Sequence, residues 1–152
     1  MGILATNLSP RDIVFFNCEA KTGINIKANE SEADLVVEII KEYQQLRSSK
    51  SIGIITPFRN QIALIKKKME AQKIPDFESI TVDTVERYQG SQRDIIIMSF
   101  AVNSSFQLES VINMNNDGTV DRKLNVALTR AKEQIIFIGH FLFKIDTNWM
   151  KY

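Results

Sequence analysis

The sequence predicts an α/β domain on a mostly parallel sheet, and three observations carry that prediction. Five short apolar runs, rich in isoleucine, valine and phenylalanine, are spread along the chain at Val14, Ile52, Ile80, Ile95 and Ile135. Several run over consecutive positions instead of alternating with polar residues, the pattern of strands buried on both faces. Segments with apolar residues at helical spacing alternate with them, which places helices against the sheet.

Taken in order, "DIVFFNCEA" reads as a buried strand. "KTGINIKAN" has turn chemistry around Gly23 and is compatible with a short hairpin. Asn29 or Ser31 can cap a helix from about Glu32 to Arg47, whose apolar residues Leu35, Val36, Ile39, Ile40, Tyr43 and Leu46 recur at helical spacing. "SIGIITP" is the second strand, closed by Pro57. A helix follows in "FRNQIALIKKKMEAQK", with Ile62, Ile65 and Met69 on one face; Lys66, Lys67 and Lys68 read as a solvated face. "SITVDTV" and "DIIIMSFA" are the third and fourth strands. After a stretch rich in Asn and Ser, "RKLNVALTRAKE" reads as a late helix with Leu124, Ala127, Leu128 and Ala131 inward, and "QIIFIGHF" as the last strand.

Composition narrows the class. The chain has 152 residues, 44% hydrophobic and 24% charged, with a formal net charge of +1. That suits one globular domain and leaves room for a local basic stripe without a global one. One cysteine, Cys18, and one histidine, His140, exclude a disulfide framework and a Cys- or His-rich metal cluster. Cys18 reads as a core residue and His140 as a strand end. A reducing, intracellular setting is expected. The N-terminus lacks the pattern of a secretory signal, and no run of about 18 apolar residues suggests a membrane span.

The chemistry concentrates in a few stretches. "ERYQGSQRD" holds side-chain amides, a glycine and two arginines between two strands. Ligands of parallel sheets bind beyond the carboxyl ends of the strands, so this stretch, "TPFRNQ" and the late helix are expected at one shared edge. A strand-to-helix junction such as Thr56, Pro57 and Arg59 either caps the helix or offers backbone N–H groups to a phosphate. Arg130 beside small Ala127 and Ala131 calls for an anion or a carboxylate, because an unpaired buried cation is costly.

Together, "NESEA", "SIGIITPFRNQ", "ITVDTVERYQGSQRDIIIMSF" and "RKLNVALTRAKEQIIFIG" resemble the second RecA-like domain of superfamily 1 helicases. Within that group the likeness is to the branch holding the nonsense-mediated-decay helicase and the Okazaki-fragment nuclease-helicase. It covers about residues 12 to 142, with 1–11 as a linker and 146–152 as a tail around a domain of 12–145. The resemblance implies a RecA-like, P-loop-NTPase-type three-layer fold. It also implies ATP and Mg2+ held mainly by a first RecA-like domain, with single-stranded DNA or RNA as the track.

Carried over by position, Arg130 would be an arginine finger, a guanidinium that meets charge developing on the γ-phosphate. Gln89, Gly90, Gln92 and Glu32 would belong to the ATP side. Thr56, Pro57, Thr84 and Arg59 would face nucleic-acid phosphates, contacts that carry no base information. Arg122 and Asn125 would support them, and no metal ligand is expected. Two positions depart from the pattern: Gln92 stands where a glutamate is common, and Val102 and Asn103 follow the fourth strand where a basic residue is common.

The chain has no G-x-x-x-x-G-K-[ST] loop, so the expectation is the C-terminal half of a helicase motor, inactive alone. Two other readings stay open: a non-catalytic module that holds nucleic acid or a partner protein, and a nuclease built around Asp121 and Lys123.

Overall fold

The computed structural model describes residues 13–18, 28–46, 49–88, 91–101 and 127–139. Gln89, Gly90, Asp121, Arg122, Lys123, Asn125 and His140 lie outside them, as does the hairpin considered around Gly23.

Five strands form one sheet: β1 (Ile13–Asn17), β2 (Ile52–Ile55), β3 (Thr81–Asp83), β4 (Arg93–Ser99) and β5 (Ala131–Gly139). Their order is β1-β5-β4-β2-β3. Every pairing among them is parallel, so all carboxyl ends share one edge and all amino ends the other. Two helices, α1 (Glu30–Gln45) and α2 (Arg59–Ala71), follow β1 and β2.

The consecutive apolar runs are explained by two cores. Ile54, Ile95, Ile97, Ile136 and Ile138 point to the face covered by α1 and α2, where Val36, Ile39, Ile40, Ile65 and Met69 meet them. Ile55, Ile96, Met98, Ile135 and Phe137 point to the other face and pack with Phe58, Val85, Tyr88, Phe100 and Ala127. A strand buried on both faces needs apolar residues at every position, not every second one.

Helix α1 starts where its cap places it: Asn29 Oδ1 accepts from the Glu32 N–H at 3.0 Å, filling one of the unpaired donors of a helix start. Lys68 of α2 reaches Asp34 of α1 at 2.7 Å, so this lysine ties the helices together, while Lys66 and Lys67 are exposed as expected. Cys18 is half-buried against the first core, and burial pushes its thiol up to about 11. That suits a packing residue and not a nucleophile.

The late helix ends earlier than its periodicity suggested. Residues 127–130 are helical, but Ala131, Lys132 and Glu133 belong to β5, with Ala131 in register with Arg93. Ala131 still packs on the same apolar layer as Leu128, so its spacing fits either conformation. The ladder with β4 supplies backbone partners that a further helical turn would forgo.

Gly53, in the middle of β2, is a packing requirement. A Cβ there would fall onto the Tyr88 hydroxyl and lie 2.9 Å from Arg93 Cγ. Tyr88 is 2% exposed, so its ring is enclosed by the second core. Gly53→Ala is therefore expected to destabilise the chain by about 1–3 kcal/mol, the range for overpacking a filled core. Thermal unfolding would register this as a drop of about 2–4 °C per kcal/mol. An unchanged melting temperature would mean Tyr88 is not seated there.

Candidate functional site

The polar residues singled out in the sequence do not gather at one edge. Thr56 follows β2 and Thr84 follows β3, so both stand at the carboxyl edge. Gln92 precedes β4 and Arg130 precedes β5, so both stand at the amino edge. The expectation of a single shared edge is thus corrected. The reason is topological: a connection between parallel strands leaves one edge and must return to the other. At about 3.3 Å per residue, the seven residues of β4 separate the edges by roughly 20 Å.

The amino edge is built by short polar ties. Asp94 accepts from the Ser51 N–H at 2.8 Å and the Ser51 hydroxyl at 3.1 Å, which hold its carboxyl below the usual range and tie the starts of β2 and β4. Arg93 donates to Ser91 Oγ, to the Gln92 carbonyl and to Thr81 Oγ1, each at 2.8 Å. Gln92 Nε2 makes a long 3.4 Å contact with the Thr129 carbonyl, which sets Gln92 beside Arg130. Lys50 pairs with Glu133 at the same edge. Against these satisfied groups one stands out. Arg130 is partly buried, and its Nε is buried with no hydrogen-bond partner among the described residues. A guanidinium in that position is suited to an anion.

The carboxyl edge holds the other half of the predicted set. Arg59, in the first turn of α2, is exposed, and Pro57 is partly exposed. Thr84 is 8% exposed, and its N–H donates to its neighbour Asp83 Oδ1 at 2.8 Å. Thr56 is fully buried; its hydroxyl meets no partner among the described residues. Its N–H donates to the Asp83 carbonyl at 3.1 Å, joining the two loops that leave β2 and β3.

Glu32 is also at this edge, and the structure does not bring it to Arg130. Its Oε1 accepts from Ser99 Oγ and from the Ala101 N–H, both at 3.0 Å. Gln61 Nε2 donates to Ser99 Oγ and to the Asn29 carbonyl, both at 3.1 Å, while Gln61 Oε1 accepts from the Asn29 N–H at 2.8 Å. Asn29, Glu32, Gln61 and Ser99 are each 1% exposed or less. Burial pushes the Glu32 carboxyl up to about 7, with the Ala101 N–H and Ser99 hydroxyl pulling the other way.

Sequence reasoning missed Gln61 and Ser99. The signal was there for Gln61: it sits four and eight residues before Ile65 and Met69, on the buried stripe of α2, where a polar residue needs a partner. Among the described residues no cluster of three or more His, Cys, Asp or Glu could hold a metal ion. Within them no helix is long and apolar enough to cross a membrane.

A five-stranded parallel sheet carrying helices, with polar groups at both edges, is the architecture of a RecA-like α/β domain. Residues 5–141 match the family model described as an AAA domain. The chain belongs to that family, as a C-terminal RecA-like domain of the superfamily 1 helicase type. It is 34% identical over 133 residues to the DNA replication ATP-dependent helicase/nuclease dna2 of Schizosaccharomyces pombe, covering 84% of this chain and 9% of that protein. It is 34% identical over 140 residues to Regulator of nonsense transcripts 1 of Dictyostelium discoideum, covering 86% of this chain and 10% of that protein. The chain thus spans about a tenth of the length of the curated relatives it matches. In fold it is similar to the crystal structure of the C-terminal domain of a possible DNA helicase from Lactobacillus plantarum WCFS1. The TM-score is 0.52 at 13% identity, over 92% of this chain and 82% of that one.

Proposed function

We propose that this chain is the C-terminal motor domain of an ATP-dependent helicase. In this reading Arg130 reaches across a domain interface to ATP bound by a first RecA-like domain, and the opposite edge forms part of a single-strand track. The observation that carries it is the buried Arg130 Nε with no partner among the described residues, beside Gln92 at the amino edge. A phosphate oxygen delivered by another domain would supply the acceptor that the described residues of this edge do not, and a guanidinium is the group suited to charge spreading over the γ-phosphate.

ATP and Mg2+ are held mainly by the first domain in this reading. This chain contributes Arg130 and Gln92, joined by Gln89 and Gly90 from outside the described residues. The separation of the edges supports a division of labour. Contacts to nucleic-acid phosphates come from the carboxyl edge, where Arg59 is exposed and Pro57 partly so. Thr56 and Thr84 are buried there and shape the loops from beneath.

The test compares the two edges in the complete helicase. Arg59→Ala is expected to weaken single-strand binding about equally for all sequences and to lower the salt dependence of binding by about one phosphate contact, with ATP turnover at saturating nucleic acid unchanged. Arg130→Ala is expected to do the reverse, losing turnover and keeping affinity. If both variants changed affinity and neither changed turnover, the chain would be a binding module, not a motor part.

A further inference from the structure

Ala101 has a backbone φ of 51°, in the left-handed region that residues with a Cβ avoid. It is the described residue at which the chain turns away beyond the end of β4. Its N–H donates to Glu32 Oε1, the same oxygen that takes the Ser99 hydroxyl. The donors run in one direction, from Gln61 Nε2 to Ser99 Oγ and from Ser99 Oγ to Glu32 Oε1. One carboxylate at the start of α1 therefore terminates a chain of bonds from both the first turn of α2 and the exit of β4. Those are the segments that follow the Thr56–Pro57 loop and leave the carboxyl edge. A polar network this buried is retained at a cost in desolvation, and a strained residue at its centre points to a functional constraint.

We propose that Glu32 is the positioning residue of the carboxyl edge: it holds Ala101 in its left-handed conformation and locks the Ser99–Gln61 bonds, and so sets the geometry with which this edge grips a single strand. The track half of this inference rests on the function proposed above; the clasp itself rests on the geometry alone. The remaining neighbours leave Glu32 as the group that can change charge. Gln61, Ser99 and Asn29 are neutral, the Ala101 and Phe100 contacts are backbone, and the thiol of nearby Cys18, raised by burial and by Glu32, is pushed up to about 11.

The experiment has two arms on the full 152-residue chain. In the first, the Ala101 amide is followed by proton–nitrogen NMR across neutral pH. It is expected to titrate with a midpoint near the value of about 7 to which Glu32 is raised. The titration should vanish in Glu32→Gln. In Ser99→Ala, which keeps the carboxylate but removes a donor that favours its charged form, the midpoint should move up. An Ala101 amide that does not titrate, or that titrates alike in Glu32→Gln, overturns the clasp.

In the second arm, affinity for an unstructured oligothymidylate or oligouridylate is measured over the same pH range. Affinity is expected to change across the Glu32 midpoint in the wild type and to be flat in Glu32→Gln. Equal profiles in the two proteins would reduce Glu32 to a packing role and overturn its positioning role. Absence of any single-strand binding would overturn the track reading, while the NMR arm would still decide the clasp.

Discussion

Arg130→Ala in the complete helicase is expected to lower ATP turnover at saturating nucleic acid by about 10³–10⁵-fold, the range for removing an arginine finger. That corresponds to about 4–7 kcal/mol of transition-state stabilisation. Single-strand affinity should stay within a few-fold, because Arg130 stands at the amino edge and the track is assigned to the carboxyl edge. Arg130→Lys should recover little of the loss: lysine keeps the charge but not the planar fork that meets two oxygens at once. Steady-state ATPase assays with titrated nucleic acid read both quantities. A loss of less than tenfold would show that Arg130 does not meet the transferring phosphate. The 152-residue chain alone should show no turnover; turnover by the purified chain that Arg130→Ala abolishes would sink the division between two domains.

The pH dependence of folding stability should carry the signature of Glu32. Its carboxyl is raised from 4.5 to about 7 in the folded chain, chiefly by burial. The folded state therefore binds a proton more tightly than the unfolded one. The resulting stability is fully present below the unfolded value and is lost as pH rises through the folded value. Lowering the pH from about 8 to about 5.5 should thus gain roughly 2 kcal/mol from this one group. Urea unfolding of the wild type and of Glu32→Gln at both pH values isolates it: the difference between the two proteins should change by about that amount, with the wild type gaining on acidification. A difference independent of pH would place the carboxylate in contact with water, contrary to its 1% exposure.

Much of the fold was legible before any coordinates. The five apolar runs became the five strands, since strands with both faces covered are nearly continuous in apolar residues; β1, read as a buried strand, lies at the sheet edge with Ile13 exposed. Helix α1 starts at Glu30 and not Glu32, because the Asn29 cap sets the boundary through its own hydrogen bond. The end of the late helix is ambiguous in sequence, because Ala131 is apolar and small and fits the inward stripe of a helix and the first position of a strand equally well. The polar residues were harder. Glu32 reads in sequence as a residue of the ATP side, and the Ser99 hydroxyl and Ala101 N–H that occupy it are 67 and 69 positions away. No local pattern links them.

Parallel connectivity sends every connection from one edge of the sheet to the other. A stretch between consecutive parallel strands begins at one edge and ends at the other, so "ERYQGSQRD" cannot belong wholly to the edge where it starts. Tyr88 crosses that span under cover of the second core, over Gly53, while Thr84 and Gln92 stay at opposite ends.

The sequence by itself determined the class of domain, the strands and the family. Each follows from local rules: periodicity, capping, and motif residues at set spacings. Tertiary structure alone decided which polar groups share an edge, that Glu32 is enclosed by Ser99 and Ala101 and not aimed at Arg130, and that Arg130 Nε meets no acceptor among the described residues. Those outcomes depend on strand order and on contacts between residues far apart in the chain, where burial of a charge is set by the whole surrounding fold and not by its neighbours in sequence.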